Sequence, residues 1–135
     1  MSRLDSIRTA VAAHVTTAFT NAGDTVTLKA DPIAFDSLPK DHFPVAIILF
    51  DEDEPERLEF KQQRRRVVGR ISLATIGTTR EVMDLRIEAT RDLIFADPYL
   101  GATVDDLTAE AGLTISNPDD GKVYGTLDIT TEELF

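Results

Sequence analysis

Cysteine is absent from this 135-residue chain. That excludes a disulfide framework, thiolate chemistry and cysteine-held zinc or iron–sulfur centres, and it fits a reducing compartment such as a cytoplasm. Long apolar runs are absent as well. The longest, residues 45–50, falls far short of the roughly 20 residues a membrane-spanning helix needs. Residues 1–8, Met-Ser-Arg-Leu-Asp-Ser-Ile-Arg, hold no apolar segment of the signal-peptide kind. Positive charge is scarce: 14 Lys and Arg stand against 24 Asp and Glu, for a net charge of −10. Such a balance argues against DNA or an anionic bilayer as a partner for the surface as a whole. It leaves Arg64, Arg65, Arg66 and Arg70 as a local basic patch. The length suits one domain, and 42% apolar residues suffice for one real core. The expectation is a soluble protein made inside the cell.

Residues that carry chemistry are few. The two histidines are His14 and His42. His14 sits beside the apolar stripe of an opening helix and reads as a packing residue. His42 follows Asp41, a pair that is a fragment of a catalytic triad, but no serine in a nucleophile-elbow setting accompanies it. Asp51, Glu52, Asp53 and Glu54 are contiguous, whereas calcium loops space their carboxylates at alternate positions around a sharp glycine turn. They read as a solvated acidic run. The seven glycines are scattered, and no phosphate-cradling motif appears. Neither a catalytic set, a metal site nor a cofactor site is expected.

The periodicity that is present gives a sequence of elements. Leu4, Ile7, Val11, Val15, Ala18, Phe19 and Ala22 recur at spacings of three and four and predict a helix over 3–22. Ser2 or Asp5 is placed to cap its start, and Gly23 its end. A short strand over 25–29 follows. Then comes a loop punctuated by Pro32, Pro39 and Pro44, whose Ile33, Phe35, Leu38 and Phe43 should pack down on the body. The run 44–50 is apolar on both alternating sets. It reads as a strand covered on both faces, or by helices on one face and a neighbouring chain on the other. Residues 67–76 form the longest strand. Thr78-Thr-Arg-Glu81 has the capping-box pattern and opens a helix to about 96, striped by Val82, Leu85, Ala89, Leu93 and Ala96 and broadened by Met83, Ile87 and Ile94. Asp97-Pro98 stops it. The turn Asn117-Pro-Asp-Asp-Gly121 joins two alternating runs into a closing hairpin, 104–115 with 122–131. The order α-β-β-β-α-β-β predicts an α+β fold, a mainly antiparallel or mixed sheet with two helices on one face.

Between the second and third strands lies a polar excursion, residues 51–66. Eleven of its sixteen residues are charged, six acidic and five basic, with the acids mostly first and the bases mostly last. A tight hairpin needs only about 2–5 connecting residues, so a loop this long is expected to be used on something. Leu58 and Phe60 alternate with charges, which suits a projecting hairpin. Arg64-Arg65-Arg66 is open to two readings. It blunts the start of a strand against edge pairing, or it reaches the acidic half of the same excursion on a neighbouring subunit. A loop that is acidic first and basic last is self-complementary head to tail, as a ring interface requires. On the second reading the interface residues are Glu52, Glu54, Glu56, Arg57, Lys61, Arg64, Arg65 and Arg66.

Taken together, these features resemble the tail terminator (tail completion, minor tail U-like) proteins of long-tailed bacteriophages. The features are the opening helix 4–22, the loop ending Phe43-Pro-Val-Ala-Ile-Ile, the charged excursion and the second helix 80–96. Asp97-Pro-Tyr-Leu-Gly-Ala-Thr-Val104 and a closing strand ending Thr126-Leu-Asp-Ile-Thr130 complete the set. The resemblance spans the chain and rests on architecture, with Asp97-x-x-Leu-Gly101 as its most family-like signature. It implies one domain over 1–135 and a virion structural protein in the tail end or neck, with no enzymatic activity and no cofactor. It further implies a hexameric ring that caps the tail tube, ends its polymerisation and offers a surface to the head, with the excursion residues facing a neighbouring subunit or the tube. The implied partners are further copies of the chain, the major tail tube protein and a head-completion or connector protein. DNA would only pass through the lumen, which an acidic wall would suit, and no membrane is involved. Two other classes stand beside this. One is a ligand-binding or regulatory module of ferredoxin-like type, with the excursion as a lid over a pocket between helix and sheet. The other is a small enzyme using His42 and Asp41.

Overall fold

The computed structural model describes residues 3–32, 34–52, 56–57, 63–97, 99–100, 104–112, 114–117 and 121–134. Two helices, α1 (Arg3–Asn21) and α2 (Arg80–Phe95), pack with seven strands. The strands are β1 (Thr27–Lys29), β2 (Val45–Glu52), β3 (Glu56–Arg57), β4 (Gln63–Ile76), β5 (Asp106–Ala111), β6 (Ile115–Asn117) and β7 (Lys122–Leu134). The sheet order is β1-β2-β4-β7-β5, with β3 beside β4 and β6 beside β7. Only β1 and β2 run parallel; every other pairing is antiparallel. This is the α+β architecture the periodicity predicts, with a two-residue strand added in the excursion and the penultimate strand split in two.

One face of the sheet carries both helices. Ile7, Val11, Val15 and Phe19 from α1, and Met83, Ile87 and Ile94 from α2, share a core with Ala46, Ile48 and Phe50 of β2. Val67, Ile71 and Leu73 of β4, Val123, Leu127 and Ile129 of β7, Leu107 and Ala109 of β5, and Leu100 and Val104 before β5 join it. The register explains the set: Ile48, Ile71 and Leu127 lie in one row across three strands, and residues directly opposite point to the same face. Helix α1 ends as glycine chemistry dictates. Gly23 takes φ +87°, and the Asp24 N–H donates to the Phe19 carbonyl at 2.9 Å, a left-handed cap that other residues resist. Ser2 lies outside the described residues, and Asp5 in the first turn meets Arg8 at 3.1 Å.

Three local expectations are corrected. The N-cap of α2 is Thr79: its backbone is extended and its hydroxyl accepts from the Val82 N–H at 3.3 Å. Thr78 instead joins its hydroxyl to that of Thr75, so no box with Glu81 at N3 forms. Glu81 sits in the first turn, where a carboxylate suits the positive end of the helix dipole. The buried stripe of α2 is Met83, Ile87, Thr90 and Ile94, while Leu85 is 59% exposed. Thr90 takes a core position because its hydroxyl donates to the Arg86 carbonyl one turn back, at 2.8 Å. The closing hairpin changes register midway. Ala111 pairs with Leu127 but Ile115 pairs with Tyr124, so one more residue lies between the two points on the β5–β6 side than on β7. A one-residue slip exchanges the faces. Hence Leu107 and Ala109 are buried as expected, Thr114 turns in, and Ile115 is 55% exposed.

The second face of the sheet is partly covered by the proline-punctuated loop. Its 3-10 turns, Phe35–Ser37 and Lys40–His42, set Phe35 against Tyr124 with ring centroids 5.6 Å apart and Phe43 under the Lys122 ammonium. Val45 and Ile47 of β2 are accordingly buried within one chain, and Leu49 of the same face is 37% exposed. The apolar character of 44–50 on both sides therefore has an intramolecular cause over its first half.

Gly69 is required by the core. A Cβ there would run into the ring of Phe50, which lies over it from the neighbouring strand. At Gly125 a Cβ would meet only the ends of Ile87 and Met83, which can turn aside. Overpacking a filled core costs about 1–3 kcal/mol. Gly69→Ala is therefore expected to lower unfolding stability by that amount in urea titrations, and Gly125→Ala by less. Equal losses would contradict the assigned packing.

Candidate interaction surface

The charged excursion grows directly out of the sheet. Strand β2 continues to Glu52, which pairs with Val67; β3 then pairs Glu56 with Arg64 and Arg57 with Gln63. The excursion is thus a hairpin continuation at its base. It is also broader than a hairpin, because β7 runs on to Leu134 and pairs Arg64 with Leu134, Arg65 with Glu133 and Arg66 with Glu132. The base is three strands wide, β3, β4 and β7, where alternation alone ends β7 at 131.

This register bears on the arginines. Glu56 stands opposite Arg64 within the same chain, and the acidic end of β7 flanks the other side. Arg66 donates to Glu132 at 3.3 Å, and Arg70 donates to both carboxylate oxygens of Asp128, at 2.7 and 3.3 Å. The hydrogen bond and the charge of Asp128 hold the exposed Arg70 guanidinium above its ordinary value. Of the residues assigned to the interface, Glu52, Glu56, Arg57, Arg64 and Arg65 are placed by backbone and register, and Arg66 by its side chain as well. Glu54 and Lys61 lie outside the described residues.

The sheet register brings in residues that reading each segment separately misses. Across the helix-free face, Leu49, Arg70, Asp128 and Glu110 form one row, and Asp51, Val68, Thr130 and Thr108 form the next. A third row sets Arg66, Glu132 and Asp106 side by side. Basic side chains thus occupy β4, and carboxylates occupy β7 and β5. The signal was present in the sequence: Arg66 and Arg70 are four apart, as are Glu132 and Asp128. Reading it required knowing that β4 and β7 are neighbours. Around Leu49, Asp51, Val68, Arg70, Asp128 and Thr130 the face forms a shallow depression of about 510 Å³. Leu49 and Val68, 37% and 41% exposed, are its apolar floor.

Two further concavities lie toward the sheet edges. One, of about 220 Å³, lies between α1 and β1 and is lined by Arg8, Thr9, Ala12, Leu28, Lys29 and Ile48. The other, of about 340 Å³, lies between α2 and the β5 end and is lined by Asp84, Glu88, Arg91, Asp92, Gly112 and Thr114. The two histidines take no part in these. His14 Nε2 lies 3.0 Å from Asp97 Oδ2 and ties α1 to the segment after α2. Within that segment Leu100 is buried at φ 44°, so the Asp97-x-x-Leu turn is set by core packing around a leucine. The described residues contain no cluster of three or more His, Asp or Glu able to hold a metal. None of their helices is long and apolar enough to cross a membrane.

The assignment of faces has a direct check. Leu49→Lys and Val68→Lys place charge on solvent-facing positions and are expected to change stability by about 1 kcal/mol or less, as surface changes generally do. Ile71→Lys, one row away on the helix-covered face, buries an unpaired ammonium and is expected to abolish the cooperative melt followed by circular dichroism. Compared with known proteins, the chain matches no family model and no curated sequence.

Proposed function

We propose that this chain is a structural protein that assembles with copies of itself into a ring, of the kind that caps a bacteriophage tail tube and offers a joining surface to the head. The observation that carries the reading is the charged three-stranded arm at one end of the sheet, with acidic and basic strands side by side. Its residues meet carboxylates within one chain, yet at Arg66 and Arg70 those pairs are exposed. Exposed ion pairs are worth little by themselves and are readily exchanged for partners across an interface. An arm that alternates charge across strands presents complementary rows to a neighbouring arm, and such complementarity sets register and rejects wrong partners.

The architecture is consistent with this reading. Both helices close one face of the sheet, and on the other face Leu49, Val68 and the Arg70–Asp128 pair stay exposed beyond the proline-punctuated loop. The assembly would join further copies of the chain first, with the tube protein and a head-side connector as the following partners. The chain's net negative charge would keep a lumen from holding DNA, since phosphate binding is driven by Lys and Arg.

The test is mass in solution, by light scattering on a sizing column over a concentration series. A species near 6 × 14.9 = 89.4 kDa is expected for a hexamer. Combined charge reversal, Arg64→Glu with Arg65→Glu and Arg66→Glu, is expected to lose that species while the monomer still melts cooperatively. The one described pair it breaks, Arg66 with Glu132, is an exposed contact of the class worth about 0.2–1 kcal/mol. A ring that persists in this variant would remove the arm from the interface. A native chain that never exceeds a dimer would overturn the ring.

A further inference from the structure

Among the described residues the sheet has two open edges, and they are complementary to one another. On one side β1 covers only Val45, Ala46 and Ile47 of β2. The Thr27 N–H donates to the Pro44 carbonyl at 2.9 Å. Backbone groups alternate sides along a strand, so Phe50 and Glu52 also turn their N–H and C=O away from β4. No strand of the described residues lies beside them. On the other side β5 is bonded, among the described residues, to β7 alone. The Gly112 N–H donates to Thr126 at 2.9 Å, so by the same alternation Ala109 and Ala111 present their backbone groups outward, while the Leu107 N–H is taken by the Asp106 carboxylate at 2.9 Å. An uncapped edge of this kind is a template for another strand.

Three properties of these edges match. Direction is the first. Strands β2 and β7 run one way, β4 and β5 the other, so β5 laid against β2 continues the antiparallel alternation. Length is the second: beyond the residues that β1 pairs, 48–52 of β2 number five and β5 is six. Facing is the third. The outward backbone groups on β2 belong to helix-face residues, Ile48 and Phe50, and those on β5 belong to Ala109, also a helix-face residue. Pairing them joins helix-covered face to helix-covered face. Had the parity been opposite, every side chain would be flipped across the junction.

Charge agrees. Beside the β2 edge lie Arg8 and Lys29, with Leu28 exposed. The Arg8 Nε is buried and has no hydrogen-bond partner among the described residues. Beside the β5 edge lie Asp84, Glu88 and Asp92 on α2 and Glu110 on β5. The one cation among them, Arg91, is turned over the Phe95 ring at 5.2 Å. In the antiparallel arrangement the Ala111 end of β5 meets the Ile48 end of β2, which brings these acids to Arg8 and Lys29.

We propose that residues 48–52 of β2 accept β5 of a second copy of this chain as an added antiparallel strand, clamped by Arg8 and Lys29 against the acids of the incoming α2 and β5. The contact joins two different surfaces and is therefore head to tail, the type that closes into rings. It rests on the self-assembly reading above and specifies its contact, with the β3–β4 arm continuing along the same edge.

The test blocks each edge separately. Ala111→Pro removes an outward N–H without breaking the bonds to β7, a place where an edge strand tolerates proline. Arg8→Glu with Lys29→Glu reverses the opposite edge. Asp84→Lys with Glu88→Lys serves in place of Ala111→Pro if that variant fails to fold by circular dichroism. Each variant alone is expected to run as a 14.9 kDa monomer by light scattering. Mixed one to one, they keep one intact edge each and are expected to form a dimer of 2 × 14.9 = 29.8 kDa. Variants that assemble as the native chain does would overturn the edge contact and leave the ring reading standing. Monomers that stay monomeric when mixed would also overturn it, because a head-to-tail contact must be rescued in the mixture. A native chain that is monomeric throughout the series would overturn both.

Discussion

The antiparallel ladder between β4 and β7 is the constraint on which the rest of this molecule depends. It runs without a break from Arg64 opposite Leu134 to Ile76 opposite Lys122. Because paired residues share a face, this single register decides two things together. It lines up Val67, Ile71 and Leu73 with Thr131, Leu127 and Gly125 beneath the helices. It also lines up Arg66 and Arg70 with Glu132 and Asp128 on the opposite face. A shift by one residue would bury the arginines and expose the isoleucines. The buried side chains, each worth about 1.5–3 kcal/mol in the core, therefore hold the exposed charge rows in place, and the charges need contribute little to stability themselves.

The helices finish what the ladder begins. Each lays a stripe onto the same sheet face, and the stripes meet in a common core. Close approach is allowed where side chains are missing: Gly69 accepts the Phe50 ring and Gly125 accepts Ile87 and Met83. Loop and salt links then tie the periphery. Arg86 reaches Asp24 at 3.0 Å, joining α2 to the end of α1, and His14 meets Asp97. Among the described residues, one end and two edges of the sheet remain unpaired. Those surfaces offer backbone pairing and charge to a partner.

Much of the fold is legible in the residues. The stripe from Ile7 to Phe19 names the first helix, the alternation Val123, Leu127, Ile129 names the closing strand, and Gly23 marks a helix end through its own backbone freedom. The misreadings are local and share a cause. Thr79 caps in place of Thr78 because cap geometry is a matter of one φ, ψ pair, and two adjacent threonines are chemically equal. Thr90 occupies the core because a neighbouring carbonyl satisfies its hydroxyl, a fact that hydrophobicity does not carry. Ile115 faces solvent because of a one-residue slip that an unbroken pattern of alternating apolar residues conceals. In the arm, the register adds what order along the chain does not show: Glu56 stands across from Arg64 in the same chain, and Glu132 and Glu133 of β7 flank the other side of β4.

By itself the sequence determined where the two helices and the main strands lie, that the fold is α+β, and that residues 51–66 are strongly polar. Those are consequences of short-range periodicity, which every residue carries with it. The tertiary structure alone decided which strands are neighbours, which arginine meets which carboxylate, and which edges are left open with matching direction and parity. These are properties of pairing between segments distant in the chain. Register is chosen by the fit of the whole helix-covered face, so no single segment encodes it.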